Sequence, residues 1–211
     1  MSVNSPRTLR TEQVQQTRQR IIDAAEALFL SRGYAAATLQ AVATDAGVAV
    51  ETVYSRFRNK TNLLSAILEK GLIGSEPGRD ILEQPEIDEI RRSSDQRDQL
   101  RLLAAFSRGM LERTDVAHSI LRSAAAVESA AAQLQHQDNL RRIEGQRIYI
   151  ELLLANGPLR DGLTSEEAAD TYSALASPET FAFLVRDRGW TADRFEQWLG
   201  GTLTCILLPP R

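Results

Sequence analysis

The sequence predicts an all-α protein, and three observations carry that expectation. From about residue 17 onward, apolar residues recur at three- and four-residue spacing, as one buried helix face requires. No segment sustains the β-branched, two-residue alternation of a half-buried strand. Breakers such as Gly33, Gly47, Asn156-Gly157-Pro158 and Arg188-Gly189-Trp190 separate the periodic stretches.

Taken in order, residues 1–16 are polar and read as a flexible N-terminal arm. The first helix is expected over about 17–31, with Ile21, Ala25, Leu28 and Phe29 on one stripe and Gly33 placed as a left-handed cap. A second helix starts after Thr38 as N-cap and turns Leu39, Val42, Ala43 and Ala46 inward. Gly47 ends it, and a short helix over about 49–56 follows, with Val48, Val53 and Phe57 pointing inward. Asn59-Lys60-Thr61 punctuates again before Leu63, Leu64, Ile67 and Leu68 open a fourth helix. Residues 71–95, rich in Gly and Pro, read as a domain junction with one short helix near 78–84. Beyond it, helices are expected over 95–113, 115–127, 129–156, 165–176, 178–187 and 191–207, with Thr114-Asp115 and Ser177-Pro178 among the breaks. The division is therefore an arm over 1–16, a small domain over 17–70 and a larger helical domain over 71–211.

Composition narrows the function classes. With 43% hydrophobic and 25% charged residues, the 211-residue chain has the make-up of an ordinary globular protein. No apolar run approaches the ~20 residues of a membrane span, and the N-terminus lacks the apolar core of a secretory signal, so a cytoplasmic protein with no membrane partner is expected. The single Cys205 excludes an internal disulfide framework and a cysteine-based zinc site. Net charge is −3, but residues 1–60 hold 8 Lys+Arg against 5 Asp+Glu, and the remainder holds 17 against 23. A basic front end on an acidic body suits a phosphate-binding module, which needs only a local positive field.

The segment that carries function is 38–57, TLQAVATDAGVAVETVYSRF. Two short helices joined by a Gly-containing turn form the helix-turn-helix pattern. Gly47 suits positive φ, and Ala43 and Ala46 are small enough for the helices to cross closely. Ala49, Val50, Glu51, Thr52, Ser55 and Arg56 are left largely outward. A plain helical hairpin within a bundle fits the same periodicity.

The stretch from Thr17 to Leu68 resembles the N-terminal domain of the TetR family of bacterial transcription regulators. The likeness rests on the first-helix stripe, Phe29, Gly33-Tyr34, Thr38, Ala46-Gly47-Val48, Thr52-Val53-Tyr54, Phe57, and Asn59-Lys60 followed by Leu63. SPETFAFLVRDRGWTADRFEQWL resembles, less specifically, a C-terminal stretch of such regulators. The resemblance implies a DNA-binding regulator, a repressor released from a near-palindromic operator in double-stranded DNA by a small-molecule effector. It implies that Thr38, Tyr54 and Lys60 meet phosphates. It also implies that Val50, Glu51, Thr52, Ser55 and Arg56 face the major groove. There Arg56 would pair with guanine or phosphate, Glu51 with a cytosine amino group and Val50 with a thymine methyl. Glu51 is equally explained as an acid favouring a helix N-terminus. Ala49 departs from the pattern, since many members carry Ser or Thr as the cap there.

The larger domain is expected, by the same resemblance, to form a homodimer and to bind the effector. The dimer candidates are Ala168, Tyr172, Phe195, Trp198, Leu199 and Leu203 on two apolar helix faces. The pocket candidates are Phe106, Met110, Leu121, Tyr149, Leu153 and Phe181. Both sets are also what a monomer core contains. An enzyme is disfavoured: the chain has only His118 and His136, no phosphate loop and no nucleophile elbow, and Asp115 with His118 lacks the further carboxylates of a di-metal bundle. No cofactor and no metal are expected. The remaining alternative is a helical protein-interaction module, derived from such a regulator, that no longer binds DNA specifically.

Overall fold

The structure, a computed structural model, describes residues 6–73 and 83–210. Every regular element among them is helical. The elements are α1 (Pro6–Arg32), α2 (Leu39–Ala46), α3 (Val50–Phe57), α4 (Lys60–Ile73), α5 (Pro85–Arg92), α6 (Gln96–Ala125), α7 (Ser129–Leu154), α8 (Ser165–Leu175), α9 (Pro178–Phe181) and α10 (Ala192–Leu207). α9 runs directly into a π-helical segment, Ala182–Asp187. The chain divides into two compact units: Met1–Lys70 with Val116–Gln135, and Gly71–Asp115 with His136–Arg211.

The first unit is built on one apolar core. α1 supplies Ile21, Ile22, Ala25, Leu28 and Phe29; α2 supplies Leu39, Val42, Ala43 and Ala46; α3 supplies Val53 and Phe57; α4 supplies Leu63, Leu64, Ile67 and Leu68. Ala117, Ile120, Leu121 and Ala124 of α6 and Ala131 and Leu134 of α7 close the same core. Outside it, the Lys70 ammonium lies 2.7 Å from both Asp23 and Glu26 and ties α4 to α1. Burial pulls the Lys70 pKa down, but the two carboxylates outweigh that and hold it above its ordinary value.

The second unit packs Ile87 and Ile90 of α5, Leu100, Leu103 and Phe106 of α6, Tyr149 and Leu153 of α7, Ala168 and Tyr172 of α8, Phe181 of α9, and Phe195, Leu199, Leu203 and Leu207 of α10. Tyr172 brings a hydroxyl into this core, where it meets the buried Ser107 hydroxyl at 2.7 Å. Burial pushes its pKa to about 12, against the lowering influence of Ser107 and Arg142.

Four expectations need correction. α1 begins at Pro6, so most of the expected arm is helix. Residues 7–20 contain no Gly or further Pro and are rich in Gln and Arg, and they extend a helix already nucleated by its buried half. Thr114-Asp115 does not end a helix: Thr114 is buried and its hydroxyl donates to the Met110 carbonyl at 2.9 Å, so α6 passes through unbroken. Residues 85–92, expected as part of the irregular junction, form α5, with Pro85 at its start, where its fixed φ suits the first turn. The short helix expected near 78–84 falls mainly outside the described residues. Finally, the proposed dimer residues Ala168, Tyr172, Phe195, Leu199 and Leu203 are buried inside a single chain, and Trp198 is half-buried against Phe195. Monomer packing accounts for their apolarity and leaves the first five no surface for a second copy.

Candidate nucleic-acid interface

α2 and α3 meet through a helix ending that the sequence dictates. Gly47 adopts φ 64° and ψ 42°. Its N–H donates to the Thr44 carbonyl at 3.1 Å, and the Val48 N–H donates to the Ala43 carbonyl at 3.0 Å. These are the two bonds of a Schellman motif, which satisfies the last carbonyls of α2 and reverses the chain. At the other end of α2, the Thr38 side chain accepts from the Ala41 N–H at 3.1 Å. That cap leaves the exposed Thr38 hydroxyl proton free to point outward.

α3 divides cleanly by burial. Val53 and Phe57 are buried, and Glu51, Tyr54, Ser55 and Arg56 are exposed. Tyr54 is 54% exposed, a large aromatic with no core to cover. Thr52 is half-buried, and the Ser55 hydroxyl donates to its carbonyl at 3.0 Å, leaving the oxygen as an acceptor. Val50 is also half-buried and packs on the core, so only part of its side chain faces outward. Ala49 sits in extended geometry at the N-cap and makes no side-chain cap bond. The first N–H groups of α3 therefore lack a side-chain partner at the helix's positive end.

Lys60, expected at a phosphate, is anchored within the chain at the start of α4. Its ammonium donates to the Tyr34 carbonyl at 2.9 Å and to the Ala35 carbonyl at 3.4 Å, and lies 4.5 Å from the Tyr34 ring centroid. Two of its three donors pin the loop before α2 to the start of α4, and one remains. Asn59 caps α4, its side-chain oxygen accepting from the Asn62 N–H at 2.8 Å.

Sequence reasoning missed Arg58, which is exposed and stands beside Arg56 and Lys60. It has φ 65° and ψ −47°, and the Asn59 N–H bonds back to the Phe57 carbonyl at 2.7 Å. Together these describe a strained γ-turn joining α3 to α4. Nothing in a run of polar residues signals positive φ at an arginine. The exposed residues of this segment thus include Thr38, Tyr54, Ser55, Arg56 and Arg58 beside the uncapped N-terminus of α3, with Glu51 the one acid on α3. Such a surface offers hydrogen-bond donors and positive charge to an anion-lined groove.

The pocket candidates are less coherent. Phe106, Tyr149, Leu153 and Phe181 are buried in the second unit's core, and Met110 packs against it. Phe106 meets Tyr149 edge-on at 6.0 Å, and Phe181 meets Phe195 at 5.0 Å. Leu121 belongs to the core of the first unit. A surface groove of about 300 Å³ is lined by Arg147, Ile150, Glu151, Ser165 and Glu166, and so by none of the six.

Residues 21–67 match the family model described as bacterial regulatory proteins, tetR family. The HTH-type transcriptional regulator TtgR of Pseudomonas putida is 45% identical over 58 residues, 28% of this chain and 28% of that protein. The uncharacterized HTH-type transcriptional regulator YvkB of Bacillus subtilis is 39% identical over 72 residues, 34% of this chain and 36% of that protein. The matched segments therefore span about a third or less of these curated relatives. Across nearly the whole chain, the fold matches NalD, the secondary repressor of the MexAB-OprM multidrug efflux pump in Pseudomonas aeruginosa. The TM-score is 0.70 at 24% identity, covering 95% of this chain and 100% of that one. SmeT in its triclosan complex matches with TM-score 0.69 at 24% identity, covering 92% of each chain. The helix-turn-helix segment of this chain, residues 21–67, is thus similar to the tetR family of bacterial regulatory proteins, within an all-helical fold like that of these structures.

Proposed function

We propose that this chain is a sequence-specific DNA-binding transcription regulator that represses from a near-palindromic operator and is released by a small-molecule effector. The observation that carries the reading is α3. Val53 and Phe57 bury one side of it, while Glu51, Tyr54, Ser55 and Arg56 leave the other side exposed beside an N-terminus without a side-chain cap. An eight-residue helix has little stability alone, so a protein that presents one on a rigid scaffold uses its outer face. In this reading α3 lies in the major groove, Arg56 and Ser55 meet base edges or phosphates, and Thr38, Tyr54, Arg58 and the third Lys60 donor hold the backbone.

A single reading helix covers one half-site, and a homodimer would supply the second at a spacing of about one helical turn. Within α9, the π-helical segment and α10, Phe183 and Ile206 are the large apolar side chains left exposed. They replace the buried residues as the candidates to meet a second copy. A small-molecule effector held in the second unit is part of the proposal; SmeT, which shares the fold, is seen in complex with triclosan.

The test is selection of duplex DNA from a random library, followed by a gel-shift titration over a salt series. Recovery of a near-palindrome bound with a steep salt dependence supports the reading. Sequence-independent binding, or none, favours the interaction-module alternative.

A further inference from the structure

The turn between α6 and α7 belongs to the DNA-binding unit and places a carboxylate at the start of α4. Glu128 is the half-buried residue before α7, its carbonyl accepting from the Ala132 N–H at 3.0 Å. Its side-chain Oε1 accepts from the Thr61 hydroxyl at 2.9 Å. The Thr61 oxygen also lies 3.4 Å from the Tyr34 hydroxyl. Because the Thr61 proton is committed to the carboxylate, the tyrosine hydroxyl is left to donate to the Thr61 oxygen or to the Glu128 carboxylate itself, and either way Tyr34, Thr61 and Glu128 form one cluster. Tyr34 is buried, and its pKa is raised by burial foremost and by the Glu128 charge as well, so the phenol keeps the proton it donates. The backbone carbonyl of the same tyrosine receives the Lys60 ammonium. One carboxylate therefore terminates a network that fixes the first turn of α4, the ring of Tyr34 and the loop leading to Thr38.

We infer that Glu128 is a positioning residue for DNA binding: through Thr61 and Tyr34 it holds Lys60 and Thr38 in the geometry that meets phosphates, without touching DNA itself. This rests on the DNA-binding reading above. The carboxylate has a second, opposing influence, because a negative charge near a phosphate site weakens binding. Removing the charge alone should leave affinity equal or slightly better, whereas removing the acceptor should lower it.

The experiment uses the full chain and a duplex selected from a random library. Dissociation constants are measured by fluorescence anisotropy for the wild type, Glu128→Ala, Glu128→Gln, Thr61→Val, Thr61→Ser and the Glu128→Ala/Thr61→Val pair. Hydrogen exchange of the amides at 60–64 is followed without DNA. Glu128→Ala and Thr61→Val should each weaken binding about tenfold, as loss of one charge-assisted hydrogen bond allows, and the pair should be no weaker than either alone. Glu128→Gln and Thr61→Ser keep the acceptor and donor and should bind within about twofold of wild type, which a fold defect would not permit. Amides at the start of α4 should exchange faster in the two disruptive variants only. Wild-type affinity in Glu128→Ala, or losses that multiply in the pair, overturns the inference while leaving the DNA-binding reading intact. A wild-type chain that selects no duplex overturns both.

Discussion

Ala49 occupies the N-cap of α3 with φ −68° and ψ 143°, extended geometry that a capping residue adopts, yet its methyl group accepts no hydrogen bond. The site is exposed, so a hydroxyl or carboxylate enters without displacing core atoms. Ala49→Ser should therefore stabilise the protein by about 1 kcal/mol through a bond from the second or third N–H of the helix. For a chain of 211 residues that is a rise of roughly 2–4 °C in the melting midpoint. Ala49→Asp should do at least as well, because its charge also complements the helix N-terminus. The two variants then part on DNA. A native protein is already folded in almost every molecule, so the stability gain by itself changes affinity negligibly. If the start of α3 faces a phosphate, the serine hydroxyl adds a contact and tightens binding about fivefold, while the aspartate repels the same phosphate and weakens it by at least as much. Thermal melts give the first quantity and anisotropy titrations against a selected duplex give the second. Two variants that stabilise equally and bind alike would refute the placement of phosphate at α3. Two variants that do not stabilise would refute the capping argument.

Further outcomes follow from other residues. Gly47→Ala should cost about 1 kcal/mol in a denaturant melt, because a Cβ there meets nothing within 4 Å and only the positive φ of 64° is penalised. Arg58→Gly should gain about 1 kcal/mol by relieving φ 65° in the γ-turn, and a loss instead would mean that the turn is not strained. Arg56→Ala and Tyr54→Phe should each weaken DNA binding several-fold with an unchanged melting midpoint, since both side chains are exposed; normal binding by both would remove them from the interface. Tyr172 titrates at about 12 in the folded chain against about 10 unfolded. Above pH 10 the unfolded state loses a proton that the folded state keeps, so stability falls with rising pH between 10 and 12. The advantage of wild type over Tyr172→Phe should shrink by about 2–3 kcal/mol across that window in parallel melts, and a pH-independent difference would show that Tyr172 is not held protonated.

The sequence was informative wherever a residue type has one local consequence. Gly33 and Gly47 take positive φ, Thr38 caps the helix it precedes, and the apolar stripes of α1 to α4 lie in one core. It was uninformative where tertiary packing decides. A Thr-Asp pair reads as a break, yet inside α6 the buried threonine hydroxyl is satisfied by its own helix. The apolar faces of α8 and α10 look alike whether they close a monomer core or meet a second copy, and burial resolves them in favour of the core. Lys60 was legible as a basic residue at a helix start but not as the anchor of the Tyr34 loop. Glu128 carried no signal, because its partner Thr61 lies 67 residues away in the chain.

The measurement closest to the central claim is selection from a random duplex library by the full chain, with the dissociation constant of the enriched sequence measured across a salt series for wild type and Arg56→Ala. The expected result is enrichment of a near-palindrome with half-sites about one helical turn apart, a steep fall in affinity with salt, and a several-fold loss on Arg56→Ala. A library that enriches nothing, or a selected sequence bound equally well by wild type and Arg56→Ala, would contradict it.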